Sequence, residues 1–267
     1  MIKIFHEVPK CLLSQSRQFT DGDYCLPHLL DQDEKYLEFF RESKRQGRYI
    51  VMDNSLHELG HAYDTNRLLH WIDELRPNEF IIPDVWENYI QSVVNARYWS
   101  GIELPEEVTK VAVVQAQTLN EAFLCTQTYK DLGYKKIAYS YGASYYNDIC
   151  VHPNKNIGKA LGRVYVISTL LNQKVLSQFD RVHLLGCAVP QEFGWYQGID
   201  CIESIDTSNP IMATLEGNMY NISGLTEKPK ANMNDHYNID IEDIDFNLLE
   251  TNLTLFKNIN NLQHDRK

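Results

Sequence analysis

Short apolar runs alternate with longer amphipathic stretches along most of this 267-residue chain, and this order limits the folds that it can adopt. The longer stretches place apolar residues at helical spacing, as Tyr36, Phe39 and Phe40 do within residues 31–47. Further helical patterns span residues 64–77, 86–99, 119–132 and 156–177. The apolar runs occupy residues 11–14, 49–53, 80–84, 111–115, 137–140, 182–186 and 201–206. Because apolar strands that alternate with helices are typical of a parallel sheet covered by helices, the order predicts an α/β fold.

Seven or eight such strand–helix units predict a (β/α)8 TIM-like barrel in a single domain. An open, doubly wound sheet shows the same alternation. The chain has no G-x-G-x-x-G after its first strand and no G-x-x-x-x-G-K-[ST] motif, so we favour the barrel. The eighth strand is either the N-terminal segment MIKIF or one that the sequence marks poorly.

The alternating pattern ends after Gly217, where the sequence becomes polar and irregular. Residues 1–217 are therefore predicted to form the barrel domain, and residues 218–267 an irregular C-terminal extension. Within the extension, residues 231–250 carry six Asp and Glu and no Lys or Arg, which predicts an acidic surface loop. The sequence FNLLETNLTLFKNI, residues 246–259, predicts a terminal amphipathic helix.

Composition and charge restrict the classes of function. The formal net charge of −11 does not favour binding to a phosphate backbone, although basic clusters such as Lys135-Lys136 can form a local basic face. No apolar run is long enough for a membrane span, and the N-terminus lacks a signal-peptide core, so we expect a cytoplasmic protein without a membrane partner. The six cysteines are scattered without a C-x-x-C pair, so neither a zinc site nor a cofactor is expected. The oligomeric state stays open.

Acidic side chains end three of the predicted strands, at Asp53, Asp84 and Asp206. Other predicted strands end at or near Gln115, Gly142 and Gly186. Because the C-terminal ends of all strands in such a barrel open on one face, these groups are expected to meet there. Two carboxyl groups in one pocket suit chemistry at the anomeric carbon of a sugar, where one attacks and the other moves protons. A single Asp after a strand is also a common helix N-cap, so the prediction rests on the joint arrangement.

An ordered series of segments resembles the tRNA-guanine transglycosylase superfamily, and most of all its short, phage-type members. The segments are LLSQSRQFTDGDY (12–24), VMDNSLHELG (51–60), IIPDVWEN (81–88), VAVVQAQT (111–118), VHLLGCAVPQEF (182–193) and IESIDTSNP (202–210). The resemblance covers roughly residues 10 to 217. It implies an enzyme that breaks the N-glycosidic bond between a base and its sugar.

The resemblance also implies roles for the matching residues. Asp206 resembles the family's nucleophilic Asp, with Glu203 as the alternative if the register slips by three, and Asp53 resembles the Asp that handles protons. The positions that resemble base-contacting residues are Asp84, Gln115, Gly142, Gly186 and His57, where His57 replaces an aromatic residue that stacks on the base.

Other side chains near these segments are candidates for contacts with the rest of a nucleic acid. Trp86 and Tyr141 offer rings for stacking on a base. Arg17, together with Lys135 or Lys136, is a candidate for phosphate contacts. No metal is expected at the site.

The chain departs from the family in two respects. The family's C-x-C-x2-C…H zinc site, and the subdomain that carries it and helps to hold tRNA, are not found in this sequence. The two glycines of the family's D-S-G-G motif are replaced by Ser55 and Leu56. Both departures weaken the case for tRNA and leave the chemistry at the sugar unchanged, so DNA is preferred to tRNA as the partner.

The expected function is therefore cleavage of the N-glycosidic bond of a modified base in nucleic acid, in phage biology or in defence against phages. Water as the acceptor gives base excision, as in a DNA glycosylase, and a second base gives exchange, as in a transglycosylase. Two alternatives stay open. One is a non-catalytic nucleic-acid-binding subunit of the same superfamily, and the other is an unrelated small-molecule barrel enzyme.

Overall fold

The computed structural model describes residues 2–231 and 233–261, and it contains the predicted parallel sheet. Met1, Asn232 and residues 262–267 of the predicted extension lie outside the described residues. The strands are β1 (Lys3–Phe5), β2 (Asp23–Cys25), β3 (Ile50–Met52), β4 (Glu79–Ile81), β5 (Thr109–Val114), β6 (Lys136–Ser140), β7 (Arg181–Leu185) and β8 (Ile202–Asp206). Their order is β1-β8-β7-β6-β5-β4-β3-β2, and each neighbouring pair is parallel. The sheet is a nearly closed TIM-like barrel, as predicted.

Helices alternate with the strands and cover the barrel. They are α1 (Leu13–Ser16), α2 (Pro27–Gln32), α3 (Glu34–Arg45), α4 (Leu56–Leu59), α5 (Thr65–Leu75), α6 (Tyr89–Ser100), α7 (Leu119–Asp131), α8 (Tyr146–Ile149), α9 (Lys155–Asn172), α10 (Asn209–Leu215), α11 (Met233–His236) and α12 (Phe246–Ile259). The helices predicted from apolar spacing are all present, as α3, α5, α6, α7, α9 and α12. None of the described helices has the length and apolar content needed to cross a membrane.

The prediction of a first strand at residues 11–14 is wrong. These residues belong to a 3-10 helix, Lys10–Leu12, and to α1. Four apolar and small residues in a row carry no periodicity that separates a strand from a helical turn. The strand that occupies this place in the ring is β2, whose sequence DYC begins with an acid and so lacks an apolar signature. The open question of the eighth strand is resolved, because MIKIF contains β1.

The two edges of the sheet are connected by hydrogen bonds between β1 with its flanking residues and the residues that precede β2. The backbone N–H of Asp21 donates to the Ile4 carbonyl at 2.8 Å, and the Asp21 carboxylate accepts from Ile4 N–H at 2.7 Å. The N–H of His6 donates to Thr20 Oγ1 at 3.1 Å. These bonds satisfy backbone groups of β1 on the side away from β8, and they join the ring at this point.

Side chains alternate between the barrel interior and the helix-covered outside. In β6, Ile137 and Tyr139 face outward into the main core, whereas Ala138 packs in a separate cluster inside the barrel. The other members of this interior cluster are Ile81, Val111 and Val113. Polar residues are also buried along the inward-facing positions of the strands, namely Glu79, Lys136, His183 and Ser204.

The C-terminal extension packs on the barrel. The Asn252 side chain of α12 donates to Thr214 Oγ1 of α10 at 3.2 Å. Farther along, Asn260 accepts from Gly194 N–H at 2.6 Å. The six acids of residues 231–250 are exposed, as the predicted surface position requires, although short helical turns replace a plain loop there.

Candidate active site

A cavity of about 270 Å³ opens at the C-terminal ends of the strands, on the face where barrel enzymes place their active sites. The sequence-predicted residues that line it are Asp53, His57, Asp84, Trp86, Gln115, Tyr141, Gly186 and Asp206. The three strand-end acids thus share one cavity. They are not the N-caps of the described helices that follow them, because the N-cap residues of α4, α6 and α10 are Ser55, Asn88 and Ser208.

Asp84 lies at the centre of an array of fixed side chains. Its Oδ1 accepts from Asn54 Nδ2 at 2.5 Å, and its Oδ2 accepts from Gln115 Nε2 at 2.6 Å. The two amides are themselves oriented, because Gln115 Oε1 accepts from Glu87 N–H and Asn54 Oδ1 accepts from Leu56 N–H. Burial raises the pKa of Asp84 to about 6, against the lowering effect of these two donors. The array therefore presents acceptor oxygens in fixed positions, which suits the hydrogen-bonding edge of a base.

Asp206 ends β8 and is oriented by two donors. Its Oδ1 lies 2.9 Å from His183 Nε2 and 3.3 Å from the backbone N of Gly186. The alternative nucleophile Glu203 does not line the cavity. It pairs instead with Arg181 and Lys136, at 2.9 Å each, near the opposite end of the strands. Of the two candidate nucleophiles, Asp206 is therefore the one that lines the cavity.

Two carboxyl groups that the sequence did not single out, Glu7 and Glu58, join Asp53 in the cavity. Burial, then the charge of Glu58, raises the pKa of Asp53, and burial followed by Glu58 does the same for Glu7. Burial also raises the pKa of Glu58 to about 7. Glu7 Oε1 and Glu58 Oε2 are buried without a hydrogen-bond partner in the described chain. The raised pKa values favour the protonated forms of these acids, which suits proton donation.

Replacing Glu58 should show this proton binding directly. A raised pKa in the folded state means that folded protein keeps a proton which the unfolded chain releases, so stability falls as the pH rises from the ordinary value of 4.5 towards about 7. Glu58→Gln cannot ionise, and we expect it to raise the free energy of unfolding at pH 8 by about 2 kcal/mol, with little change at pH 4. Urea unfolding at both pH values measures this difference. The control is Glu106→Gln at an exposed position, and an equal effect of Glu58→Gln at both pH values would contradict the prediction.

Two glycines, Gly142 and Gly186, leave room for aromatic rings beside the cavity. A Cβ on Gly142 would overlap the indole of Trp86, and a Cβ on Gly186 would lie 2.5 Å from the Tyr141 ring. The Trp86 and Tyr141 rings therefore occupy the space that a side chain at either glycine would need. Gly142 does not line the cavity, whereas Gly186 does and also orients Asp206. The rings of Trp86 and Tyr141 border the cavity, as stacking on a base requires.

The predicted phosphate contacts lie elsewhere. Arg17 donates to Ser43 and Gln46, and its guanidinium lies 4.5 Å from the centre of the Phe39 ring, outside the cavity. Lys136 is fully buried against Glu79 inside the barrel, and Lys135 is exposed just before the N-terminal end of β6. These residues lie away from the cavity because they precede strands or lie at their N-terminal ends. The barrel residues that line the cavity lie near or after the C-terminal ends of strands.

The C-terminal extension supplies one wall of the cavity and its lysines. Lys228, Pro229, Lys230, Ala231 and Met233 line it, and Lys228 donates to the Tyr141 hydroxyl. The wall is anchored to barrel loops. Gln191 donates to the Leu225 carbonyl at 2.8 Å, Asn154 to the Thr226 carbonyl at 2.6 Å, and Ala231 N–H to Glu216 at 2.5 Å.

Within the described ranges, no group of three or more His, Cys, Asp or Glu side chains is arranged to hold a metal ion. The cysteines are free. Among the described residues that line the cavity, Cys187 is the one cysteine. The arrangement of side chains is instead suited to proton transfer, to attack by a carboxylate and to the recognition of a flat, polar ring. No family model matches the sequence, and no curated protein matches it, so the roles of the site residues rest on the geometry of the cavity and on the quoted segments.

Proposed function

We propose that the chain cleaves the N-glycosidic bond between a base and its sugar in a nucleic acid. The observation that carries the proposal is the meeting of Asp206, Asp53 and the Asp84–Gln115 array in one cavity. A carboxylate held by donors, a carboxyl group that keeps its proton and a fixed set of acceptors are the parts that this reaction needs.

The first step is displacement at the sugar. An oxygen of the Asp206 carboxylate forms a bond to C1′ while the bond from C1′ to the base nitrogen breaks, and the bonding electron pair stays on the nitrogen. The Asp53 carboxyl group, whose raised pKa favours its protonated form, donates its proton to the leaving base. The base leaves neutral, and the sugar stays linked to Asp206 as an ester.

The second step releases the sugar. Water adds to C1′ as the C1′–Oδ bond breaks, and its proton passes to the Asp53 carboxylate. Both acids then return to their starting states, and the products are the free base and an abasic sugar. If a second base attacks C1′ through a ring nitrogen instead, the same proton transfer gives base exchange.

The base would be held by the Asp84 array and by stacking. Asp84 oxygens, already fixed by Asn54 and Gln115, accept from N–H groups on the base edge. Trp86 and Tyr141 supply rings for stacking, which contributes about 1–3 kcal/mol per base. The cavity of about 270 Å³ lies near the small end of ligand sites, so it suits one nucleotide unit, which a duplex must flip out.

A second candidate is the same reaction on a free nucleoside. It is favoured by the acid-lined cavity and by the net charge of −11, since both oppose the approach of a phosphate backbone. Lys228 and Lys230 at the extension wall favour the polymer, because they place two cations at the cavity rim.

The experiment offers the protein plain DNA, base-modified DNA, tRNA and a mixture of free nucleosides, and measures released base and abasic sites by mass spectrometry. Release from a polymer supports the proposal, and release only from nucleosides supports the second candidate. Labelled water distinguishes excision from exchange, because only excision places the label on the sugar. Absence of base release from every substrate would contradict both.

A further inference from the structure

A column of buried polar side chains runs inside the barrel and ends on Asp206. Lys136 donates to Glu79 Oε2 at 2.7 Å and to Ser204 Oγ at 2.6 Å. Ser204 Oγ lies 2.7 Å from His183 Nδ1, and His183 Nε2 lies 2.9 Å from Asp206 Oδ1. Lys136 and Ser204 are 0% exposed and His183 is 1% exposed, so water does not compete for these bonds.

The donors along the column assign its protons. An ammonium group only donates, so Ser204 Oγ accepts from Lys136 and turns its own hydroxyl proton towards His183 Nδ1. Nδ1 then accepts, and the ring carries its proton on Nε2, which donates to Asp206. Each member thereby fixes the orientation of the next, from the ammonium group to the carboxylate.

The strand register supports this alignment. β7 and β8 pair Val182 with Ile202 but His183 with Ser204, so the pairing skips Glu203. The skip sets Ser204 opposite His183 and leaves Glu203 to pair with Arg181. A bulge that re-aims side chains beside a cavity is a feature that active sites commonly use.

Burying a column of polar side chains inside a barrel also costs desolvation free energy. A buried ion pair such as Lys136–Glu79 is often no more stabilising than apolar side chains of the same size. The presence of this ion pair is explained if the column serves to orient a side chain. The side chain at the end of the column nearest the cavity is the Asp206 carboxylate.

We propose that His183 is a positioning residue which, held by Ser204 and Lys136, fixes the Asp206 carboxylate for attack at the anomeric carbon. The inference rests on the proposed function for its chemical meaning. His183 touches neither base nor sugar in this role. Its Nε2–H and the Gly186 N–H both bind Oδ1, so they direct the reaction to the other oxygen, Oδ2.

Kinetics of base release test the role of the column. Ser204→Ala and His183→Phe should lower kcat by roughly 10²-fold and leave KM within a factor of about 3, because the attacking group is displaced and substrate binding is not. His183→Gln should keep kcat within about tenfold, since its amide nitrogen replaces the Nε2 donor. The matched control is Thr126→Ala, which removes a buried hydroxyl bonded to Tyr139 outside the column. Equal losses in Ser204→Ala and Thr126→Ala, or no rescue by His183→Gln, would overturn the proposal.

A measurement without substrate separates this proposal from the proposed function. Nitrogen NMR of the histidine rings, with His183 assigned by its loss in His183→Gln, should show a neutral ring protonated on Nε2. Ser204→Ala should change that tautomer or broaden its signal. A ring protonated on Nδ1 would overturn the positioning role whether or not the protein releases a base. A wild-type protein that shows the expected tautomer but releases no base would leave the column intact and contradict only the proposed reaction.

Discussion

Asp206→Asn is expected to lower base release by about 10³-fold or more while the fold stays intact. An amide has no negative oxygen to attack C1′, so the covalent step is lost. The Asn side chain keeps an oxygen that accepts from His183 Nε2 and from Gly186 N–H, so the local hydrogen bonds can persist. Mass spectrometry of released base measures the loss, and thermal unfolding checks the fold.

Glu203→Gln is the matched control for this prediction. Glu203 lies on the same strand, three residues earlier, and pairs with Arg181 and Lys136 outside the cavity, where a Gln oxygen can still accept from both. We expect Glu203→Gln to retain base release. If Glu203→Gln loses activity and Asp206→Asn keeps it, the nucleophile is Glu203 and the assignment based on the cavity is wrong.

Arg163→Met is expected to lower the free energy of unfolding by about 3–5 kcal/mol, the cost of leaving a buried charge without its partner. Arg163 and Glu192 are both 0% exposed, and their closest atoms lie 2.6 Å apart. The guanidinium also donates to the carbonyls of Tyr139, Leu185 and Gly186 at 2.8–3.0 Å. Its loss therefore leaves the Glu192 charge without its cation and removes one donor from each of three carbonyl groups.

Urea unfolding measures this effect, and Arg41→Met is the control. Arg41 pairs with Glu74 at the surface, where its side chain is 37% exposed, and such pairs contribute less than about 1 kcal/mol. The double variant Arg163→Met/Glu192→Leu should recover part of the loss, because it removes the stranded charge. A loss below about 1 kcal/mol for Arg163→Met alone would show that water or another group satisfies Glu192.

The barrel could be predicted because its longer strands carry apolar residues at positions that face the helices. In β5 and β7 this pattern places each end of the strand to within two residues. β2 could not be predicted, since three residues that begin with Asp23 carry too little apolar signal. Residues 11–14 were wrongly predicted to form a strand, because a helical turn buried by tertiary contacts can be as apolar as a strand.

The acids of the cavity could be predicted from one rule, that residues after parallel strands share a face. The same rule includes Glu7, which follows β1. Glu7 was missed because the sequence did not decide whether the N-terminal segment forms a strand. Glu58 could not be found in this way, since it lies on α4 and reaches the cavity through a loop. The rings beside Gly142 and Gly186 could not be predicted either, because only the folded structure shows which ring packs against each glycine.

The polar column left a signal in the sequence that was not used. Lys136 and His183 stand in strands that are otherwise apolar, at positions where a barrel expects small or apolar side chains. Polar residues at such inward-facing positions break the local pattern, and breaks of this kind tend to mark functional sites. The partners of each residue still depend on the register at Glu203, which the sequence does not encode in any simple pattern.

The wall formed by residues 228–231 and Met233 also has a consequence for biosynthesis. Ribosomes make every strand of the barrel before they make this wall. A nascent chain whose barrel strands have already formed would therefore still lack one wall of the cavity. The cavity gains its last wall only once the later segment has emerged and docked on the barrel loops.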